Sequence, residues 1–363
     1  MRKYIVWLGG SVMTAAFSMS AYAASGITAT VSTDKQSLGP GEDLVVRVTL
    51  TNTTSAPQRL LKWHTPFGAI EESLFDVSRD GVPVAYEGKH VKRPAPTAAD
   101  YVTLQPGKSY SAKVELSAIY DLSMTGDYAI RFRTHAPDVL TKTGVRPDKV
   151  AKTEAEDAAK GVQVDEDDLL QSAPVQVWIE GTNQKRSVPI PTGEASLAFS
   201  QCSASQQSTI TSAISAAKTM ANGAVSYLNA GTAGQRYTKW FGTYNSTRSA
   251  TVKSHFANIK DALDNKPIVV DCSCQESYYA YVYPTQPYKI YVCNAFWSAP
   301  LSGTDSKGGT LVHETSHFNV VAATDDWAYG QSAAASLAIS NPSRAIDNAD
   351  SHEYFGENTP ALP

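Results

Sequence analysis

The sequence predicts two folded domains, an N-terminal all-β sandwich followed by a C-terminal α+β domain that is mainly helical. The N-terminal half alternates short apolar strands with turns rich in glycine and proline. The C-terminal half instead carries apolar residues at helical spacing, and it contains all four cysteines. A chain of 363 residues is also long enough to favour two domains over one.

The chain begins with a segment typical of a secretory signal peptide. Arg2 and Lys3 precede an apolar run that ends in an A-x-A cleavage pattern at Ala23. We therefore predict a signal peptide over residues 1–23 and a secreted, extracellular protein. No later segment is apolar over a membrane-spanning length. The net charge of −4 gives no sign of nucleic-acid or membrane binding.

Residues 24–182 are predicted to form an immunoglobulin-like β-sandwich. Short alternating strands are expected over residues 27–31, 44–50, 128–132 and 175–179. Residues 136–170 are rich in Lys, Asp, Glu and Ala and are interpreted as a polar excursion before the last strand.

A polar, proline-bearing linker over residues 183–198 separates this region from the second domain, residues 199–363. The second domain opens with a helical stripe of apolar residues. Its predicted elements are helices over 206–228 and 250–263, strands over 268–270, 278–283 and 288–292, and later helices over 332–339 and 342–354.

The strongest chemical motif is the His-Glu-x-x-His pattern that spans His313 to His317. On a helix, residues four apart lie on one face, so both imidazoles can bind one metal ion. Glu314 lies one position round the helix, close enough to polarise a water on that ion. This arrangement is typical of zinc hydrolases, and Thr310 is a possible cap for the helix. A helix carrying two structural histidines is the alternative.

A catalytic zinc needs a third protein ligand, and the spacing leaves several open. Asp326 follows nine residues after the motif among turn formers, with Asp325 as its immediate rival. A thermolysin-like zincin would instead use Glu353 or Glu357 from a later helix. A metzincin-like histidine is excluded because its position holds Ala323.

The motif and the residues after it resemble the aspzincins, the family of deuterolysin and the peptidyl-Lys metalloendopeptidases. In that family a Gly-Thr turn leads to a zinc-binding aspartate and then to x-x-Tyr-Gly. This chain runs from Thr324 through Asp326 to Tyr329 and Gly330 in the same register. It departs from the pattern at Ala323, where the family has glycine. The resemblance extends over residues 199–363.

The resemblance implies a zincin-like metalloprotease domain with one Zn²⁺ per chain. By register, His313, His317 and Asp326 match the zinc ligands and Glu314 matches the catalytic base. Tyr329 matches the tyrosine that donates a hydrogen bond to the oxyanion. The predicted activity is zinc-dependent endopeptidase action on lysine-containing proteins or peptides.

Substrate choice is predicted to lie with Asp350 and Glu353, three residues apart on one helical face. The resemblance matches them to the acidic pair that selects lysine just after the scissile bond in the Lys-specific branch. A deep site between two carboxylates suits the compact lysine charge on its flexible stem. The alternative is a solvated acidic helix end. His352 is a further candidate for holding the oxyanion.

The four cysteines, Cys202, Cys272, Cys274 and Cys293, suggest two disulfides in an exported chain. Cys272 and Cys274 are separated by one residue and are expected to pair outward, although three connectivities are open from sequence. A structural zinc held by four thiolates is disfavoured by the spacing and the compartment. The resemblance implies pairing of Cys202 with Cys272 and of Cys274 with Cys293.

The N-terminal domain is interpreted as a propeptide that keeps the enzyme latent as an intramolecular inhibitor. It has no cysteine, which excludes a cysteine-switch thiolate. We hypothesise that the basic loop 87–94, with Lys89 and Lys92, presents a cation to the acidic pair; a solvated loop is the alternative. The bond between Gln184 and Lys185 is a candidate for self-processing.

Two other functional classes stay open from sequence. One is a different zincin, thermolysin-like, with a glutamate ligand and another specificity. The other is a non-enzymatic secreted binding protein, in which the sandwich is the working part and the zinc site is vestigial.

Overall fold

The computed structural model describes residues 23–24, 26–94, 96–135, 140–141, 169–184, 189–231 and 233–363. Most of the predicted signal peptide, most of the excursion over 136–170, and Lys185 with its candidate processing bond lie outside the described residues. Among the helices of the described part, none is long and apolar enough to cross a membrane.

Where it is described, the N-terminal region consists of strands with two short 3₁₀ helices, at Lys62–His64 and Ala98–Asp100. The strands are β1 (Ala23–Ala24), β2 (Ile27–Thr33), β3 (Ser37–Leu38), β4 (Val45–Asn52), β5 (Gln58–Leu61), β6 (Phe75–Arg79), β7 (Val82–Pro83), β8 (His90–Lys92), β9 (Tyr101–Leu104), β10 (Ser109–Glu115), β11 (Gly126–His135), β12 (Leu140–Thr141), β13 (Leu169–Gln171) and β14 (Val175–Ile179).

Two main sheets share one apolar core in this region. One has the order β1-β2-β4-β10, and the other has the order β3-β14-β11-β6-β7, with β13 also paired to β11. Strand β4 shows the alternation expected of a half-buried strand, since Val46, Val48 and Leu50 are buried while Val45 and Arg47 are exposed. The described part of the region is therefore built mainly of strands, which agrees with the all-β prediction, while its immunoglobulin-like topology stays a prediction.

The C-terminal region combines four strands with eight helices among the described residues. The strands are β15 (Ser196–Ser200), β16 (Pro267–Asp271), β17 (Ala280–Val282) and β18 (Lys289–Val292). The helices are α1 (Ala204–Asn229), α2 (Gln235–Phe241), α3 (Ser246–Asn265), α4 (Asn294–Ser298), α5 (Lys307–His317), α6 (Gly330–Ser340), α7 (Pro342–Ala345) and α8 (Ala349–Glu357).

Helix α1 forms where the apolar stripe predicts it and extends slightly beyond the expected ends. Ser203 caps it, with a side chain that accepts a hydrogen bond from the backbone N–H of Gln206. Its stripe, which includes Ile210, Ile214 and Ala217, is buried in the core that α1 shares with α3, α5 and α8. This packing fixes the position of α5, the helix of the His-Glu-x-x-His motif.

One sheet joins the two regions, because a strand of the N-terminal region extends the sheet of the C-terminal region. The order is β15-β16-β18-β17-β8. Strand β8 pairs antiparallel with β17, with Lys92 opposite Ala280 and His90 opposite Val282. The backbone N–H of Tyr279 also donates to the carbonyl of Lys92 at 2.9 Å. The N-terminal region therefore occupies the edge of the C-terminal sheet.

Both disulfides connect parts of the C-terminal region. Cys202 pairs with Cys272 and Cys274 with Cys293, the connectivity that the family resemblance implies. No cysteine is free, so the alternative of a four-thiolate zinc is wrong.

Two helices differ from the prediction by more than small shifts of their ends. Helix α5 begins at Lys307, before the two glycines, and its cap is Ser306 rather than Thr310. A Cβ at Gly309 would overlap the carboxylate of Glu357, so this glycine permits close helix packing instead of ending a turn. The predicted helix over 342–354 is two helices, because Asn348 interrupts it and accepts hydrogen bonds from two backbone N–H groups at residues 327 and 328.

Candidate active site

The two motif histidines lie one turn apart on α5 and are completely buried. Their Nε2 atoms point at each other across 3.1 Å. His317 is oriented from behind by the carbonyl of Thr324, which accepts a hydrogen bond from Nδ1 at 2.6 Å. Behind His313 lies Asp350, whose Oδ1 is in ion-pair contact with Nδ1 at 2.8 Å. Both rings are therefore fixed with Nε2 facing one point.

The loop after α5 returns the chain so that Asp326 faces the same point. Its Oδ1 lies 3.3 Å from Nε2 of His313 and 3.4 Å from Nε2 of His317. The return requires a left-handed residue, and Ala323 takes that conformation with φ of 52°. The carboxylate of Asp325 contacts the N-terminal region, with Oδ1 3.6 Å from Nε2 of His90.

These three atoms fit the ligand set of a zinc ion. A tetrahedral zinc with bonds of about 2.05 Å has ligand atoms about 3.3 Å apart. Neither oxygen of Asp326 has a hydrogen-bond partner within the described residues, although both are buried. Burial disfavours the charged form of His313, but Asp326 and the other nearby carboxylates outweigh it and raise its pKa well above the usual range. The surroundings therefore favour a cation.

Glu314 lies beside this point with a completely buried carboxylate. Neither of its oxygens has a hydrogen-bond partner among the residues described. Burial is the main cause that raises the pKa of Glu314 to about 8. A carboxylate with these properties can take up and return a proton near neutral pH.

The two glutamates considered as alternative ligands lie elsewhere. Glu353 approaches the opposite side of the His313 ring, where Oε2 is 3.4 Å from Nδ1. Glu357 accepts hydrogen bonds from the backbone N–H and the hydroxyl of Ser306. Neither can join the Nε2 atoms on a shared metal ion.

A second acidic cluster lies behind His313, and we call it the lysine pocket. It consists of Asp305, Asp350 and Glu353. The ammonium of Lys92, from β8, fills it at 2.6 Å from Glu353, 3.1 Å from Asp350 and 3.6 Å from Asp305. Burial opposes ionisation of Asp350, but Lys92 and His313 outweigh it and lower its pKa to about 2. The structure thus places a lysine between the two predicted specificity carboxylates.

Comparison with known proteins agrees with this geometry. The sequence model of the aspzincins, described as lysine-specific metallo-endopeptidase, matches residues 226–357. An extracellular protease of Aeromonas hydrophila is 46% identical over 331 residues, covering 89% of this chain and 90% of that protein. A peptidyl-Lys metalloendopeptidase of Armillaria mellea is 37% identical over 333 residues, 88% of each.

The chain belongs to the aspzincin family. It is therefore a zinc metalloendopeptidase. Among solved structures, a zinc peptidase from Grifola frondosa is 47% identical, covering 45% of this chain and all of that one, with a TM-score of 0.43.

Tyr329, the tyrosine of the aspzincin motif, makes its contacts with the N-terminal region. Its hydroxyl lies 3.0 Å from Oε1 of Glu72 and 3.1 Å from the carbonyl oxygen of Val91. Arg93 donates to the same hydroxyl oxygen at 3.3 Å. Burial is the main cause that raises the pKa of Tyr329 well above 10, so the phenol is protonated and can donate.

Arg93 is held by a pair of carboxylates that we call the arginine clamp, Glu71 and Glu72. The guanidinium donates to Glu71 and Glu72 at 2.8 and 2.9 Å. Lys89, the other lysine of the predicted basic loop, also pairs with Glu71, at 2.8 Å. The hypothesis of a basic loop residue in the acidic pair therefore fits Lys92 and is wrong for Lys89.

Three residues at the site were missed or misplaced from sequence. Asp305 and Glu72 lie far along the chain from the residues they meet, so no spacing could have indicated them. His352 is buried on the other side of α8, where its Nε2 lies 3.1 Å from His255 and its Nδ1 donates to the carbonyl of Asn348. It therefore does not face the oxyanion position.

Proposed function

We propose that this chain is a secreted, latent zinc endopeptidase that cleaves peptide bonds on the amino side of lysine. The observation that carries the specificity is the ammonium of Lys92, 1% exposed, between the carboxylates of Asp350 and Glu353. Relatives from Armillaria mellea and Grifola frondosa are named peptidyl-Lys metalloendopeptidases, which supports it. Secretion is supported by the N-terminal signal pattern and by the name of the Aeromonas relative.

One Zn²⁺ per chain would be held by His313, His317 and Asp326. When bound, zinc supplies Lewis acidity, which lowers the pKa of a water molecule and polarises a carbonyl. The hydrogen bond to the back of the His317 ring and the carboxylate of Asp350 behind the His313 ring favour the tautomers in which Nε2 is the ligand atom.

The chain's own residues carry the proton transfers. Glu314 removes a proton from the attacking water and delivers it to the nitrogen of the departing amine. Tyr329 donates its hydroxyl hydrogen to the carbonyl oxygen as negative charge develops there. The substrate backbone pairs with β17, which is an edge strand once β8 has left.

The lysine pocket selects the residue after the scissile bond. Three carboxylates gathered around one point suit a compact ammonium on a flexible stem better than a broad, planar guanidinium. Asp350 has two roles, because the same Oδ1 contacts the lysine ammonium and orients His313. Recognition of lysine and positioning of a zinc ligand are therefore linked through one oxygen atom.

Latency would come from the N-terminal region, which we propose is an immunoglobulin-like prodomain over residues 24–182. Strand β8 takes the edge of β17, and Lys92 fills the lysine pocket. His90 lies on the metal face, with its ring stacked on His317 at 4.5 Å and 3.6 Å from Asp326. The linker over 183–198 would be cut to release the catalytic domain, residues 199–363.

Sequencing of peptides released from a denatured, unrelated protein tests this function. The activated chain should give peptides that begin with lysine. Matched synthetic peptides with lysine, arginine or norleucine at one position provide the control, and only the first should be cut efficiently. Equal cleavage before all three would refute the proposed specificity.

A further inference from the structure

Strand β8 lies in the cleft in the register of a substrate, and not merely near it. Three contacts fix that register. The side chain of Lys92 fills the lysine pocket, and its carbonyl accepts a hydrogen bond from the backbone N–H of Tyr279 at 2.9 Å. The carbonyl of the preceding residue, Val91, lies 3.1 Å from the hydroxyl of Tyr329. An enzyme that cuts before lysine would hold its target bond in this way.

We propose that the peptide bond between Val91 and Lys92 is an internal cleavage site, held in the position of the bond to be cut and protected by Glu72. The proposal rests on the proposed cleavage before lysine. It differs from the processing site expected in the linker over 183–198, because it lies inside the strand that blocks the cleft.

Glu72 protects the bond because it competes for the hydrogen of Tyr329. A phenol has one hydrogen to donate, and here two acceptors lie at nearly the same distance, Glu72 at 3.0 Å and the Val91 carbonyl at 3.1 Å. A carboxylate is the stronger acceptor. The hydroxyl is therefore directed to Glu72. The Val91 carbonyl is left with a longer hydrogen bond from Nη1 of Arg93, at 3.4 Å, and Glu72 competes for that nitrogen as well, at 2.9 Å.

The charge of Glu72 opposes the reaction as well. Hydrolysis develops negative charge on the Val91 oxygen, and a buried carboxylate that shares the same hydroxyl repels that charge. Glu72 is held in place by Arg93 at 2.9 Å and by His64 at 2.8 Å, and it is only 4% exposed. It cannot turn away to water while the N-terminal region keeps its fold.

The cleavage step is an ordinary hydrolysis with water as the co-reactant. The water oxygen bonds to the carbonyl carbon of Val91 while Glu314 accepts the proton. The bond from that carbon to the nitrogen of Lys92 then breaks, and Glu314 returns the proton to that nitrogen. The products are a carboxylate at Val91 and an amino terminus at Lys92.

Substitution of Glu72 should expose this site. In the full-length zinc-loaded chain, Glu72→Gln removes the charge and weakens the competing acceptor. We expect hydrolysis between Val91 and Lys92 to accelerate by on the order of a hundredfold, the usual effect of one oxyanion donor. Mass spectrometry in ¹⁸O-labelled water would record ¹⁸O at the new Val91 carboxylate. The rate should not depend on protein concentration, because the strand lies in its own cleft.

The matched control is Glu71→Gln, since Glu71 also pairs with Arg93 but is bonded to Tyr278 instead of Tyr329. It should leave the rate unchanged. Adding Lys92→Ala to the Glu72 variant should abolish the cut. If Glu72→Gln melts early, Glu72→Asp is the second variant, because it keeps the charge for Arg93 but withdraws it from Tyr329.

The proposal is overturned if a Glu72 variant with the parent's melting temperature and zinc content keeps this bond as stable as the parent does. Equal acceleration by Glu71→Gln would also overturn it. Both results are separable from failure of the proposed function, which is judged by whether peptides from an unrelated protein begin with lysine.

Discussion

Lys92 and Arg93 are neighbours on the chain, yet opposite regions of the molecule hold them. The lysine pocket that receives Lys92 belongs wholly to the C-terminal region. The arginine clamp that receives Arg93 belongs to the N-terminal region itself. Lys92 is the last residue of β8 and Arg93 directly follows it, so one short segment engages both regions.

In the proposed function, the lysine pocket recognises the substrate lysine, whereas the arginine clamp holds strand β8 in the cleft. In the proposed activation, the lysine pocket would stay with the enzyme and could serve any lysine. The arginine clamp would leave with the N-terminal region, so it would only shape how β8 is presented. Changes in the pocket should therefore alter both substrate choice and inhibition, whereas a change of Glu72 in the clamp should alter inhibition alone.

The largest effect is expected from a substitution outside both the lysine pocket and the arginine clamp. Glu314→Gln should lower casein hydrolysis by the processed enzyme more than about a thousandfold, because general acid–base transfer is lost. Bound zinc should stay at one per chain, since Glu314 is not a ligand. Elemental analysis beside the activity assay checks both results, and near-normal turnover would refute the assigned base.

The next effect contrasts the two clusters directly. Lys92→Met leaves the carboxylates of the lysine pocket buried without their cation, so the free energy of unfolding of the uncut chain should fall by about 3–5 kcal/mol. Lys89→Met breaks a partly exposed pair with Glu71 and should cost about 1 kcal/mol or less. Urea denaturation in the Glu314→Gln background, where self-cleavage is blocked, measures both. Equal losses of unfolding free energy in the two variants would mean that Lys92 stabilises the chain no more than Lys89 does.

Within the lysine pocket, the two specificity carboxylates should differ in their effect on zinc. Asp350→Asn removes the negative charge 2.8 Å behind His313, and zinc affinity should fall by roughly 10–100-fold. Glu353→Gln should weaken lysine selection with a much smaller change in zinc affinity, because its oxygen is 3.4 Å from that ring. Competition with a chelator measures the zinc affinity of the two variants. A larger loss of zinc affinity in Glu353→Gln than in Asp350→Asn would contradict the proposal that Asp350 links lysine recognition to the positioning of His313.

The smallest effect is expected at the turn that brings Asp326 to the two motif histidines. This turn lies outside both the lysine pocket and the arginine clamp. Ala323 has a left-handed conformation that alanine disfavours, so Ala323→Gly should stabilise the chain by about 1 kcal/mol. Ala322→Gly, one residue earlier and without a positive φ, should be neutral or destabilising. Thermal unfolding of the two variants gives the comparison, and destabilisation by the first would count against a strained turn.

Local chemistry explains how much of this could be predicted. The helical stripe of α1 and the His-Glu-x-x-His spacing on α5 are periodic patterns, and they indicated both helices correctly. The helix start was wrong at Thr310 because glycines normally end helices, whereas Gly309 serves close packing against Glu357. The prediction of one continuous C-terminal helix was wrong because Asn348 accepts a hydrogen bond from the backbone of Trp327 in a distant loop.

The sequence by itself determined the family, the enzyme class and the candidate ligands, because these depend on residue types at short, fixed spacings. Only the tertiary structure decided which N-terminal lysine meets the acidic pair, that Asp305 completes the pocket, and that Glu72 reaches Tyr329. Those contacts join residues more than two hundred positions apart, including Lys92 with Asp305. Their geometry arises because a strand of one region extends the sheet of the other, and no local sequence pattern predicts that pairing.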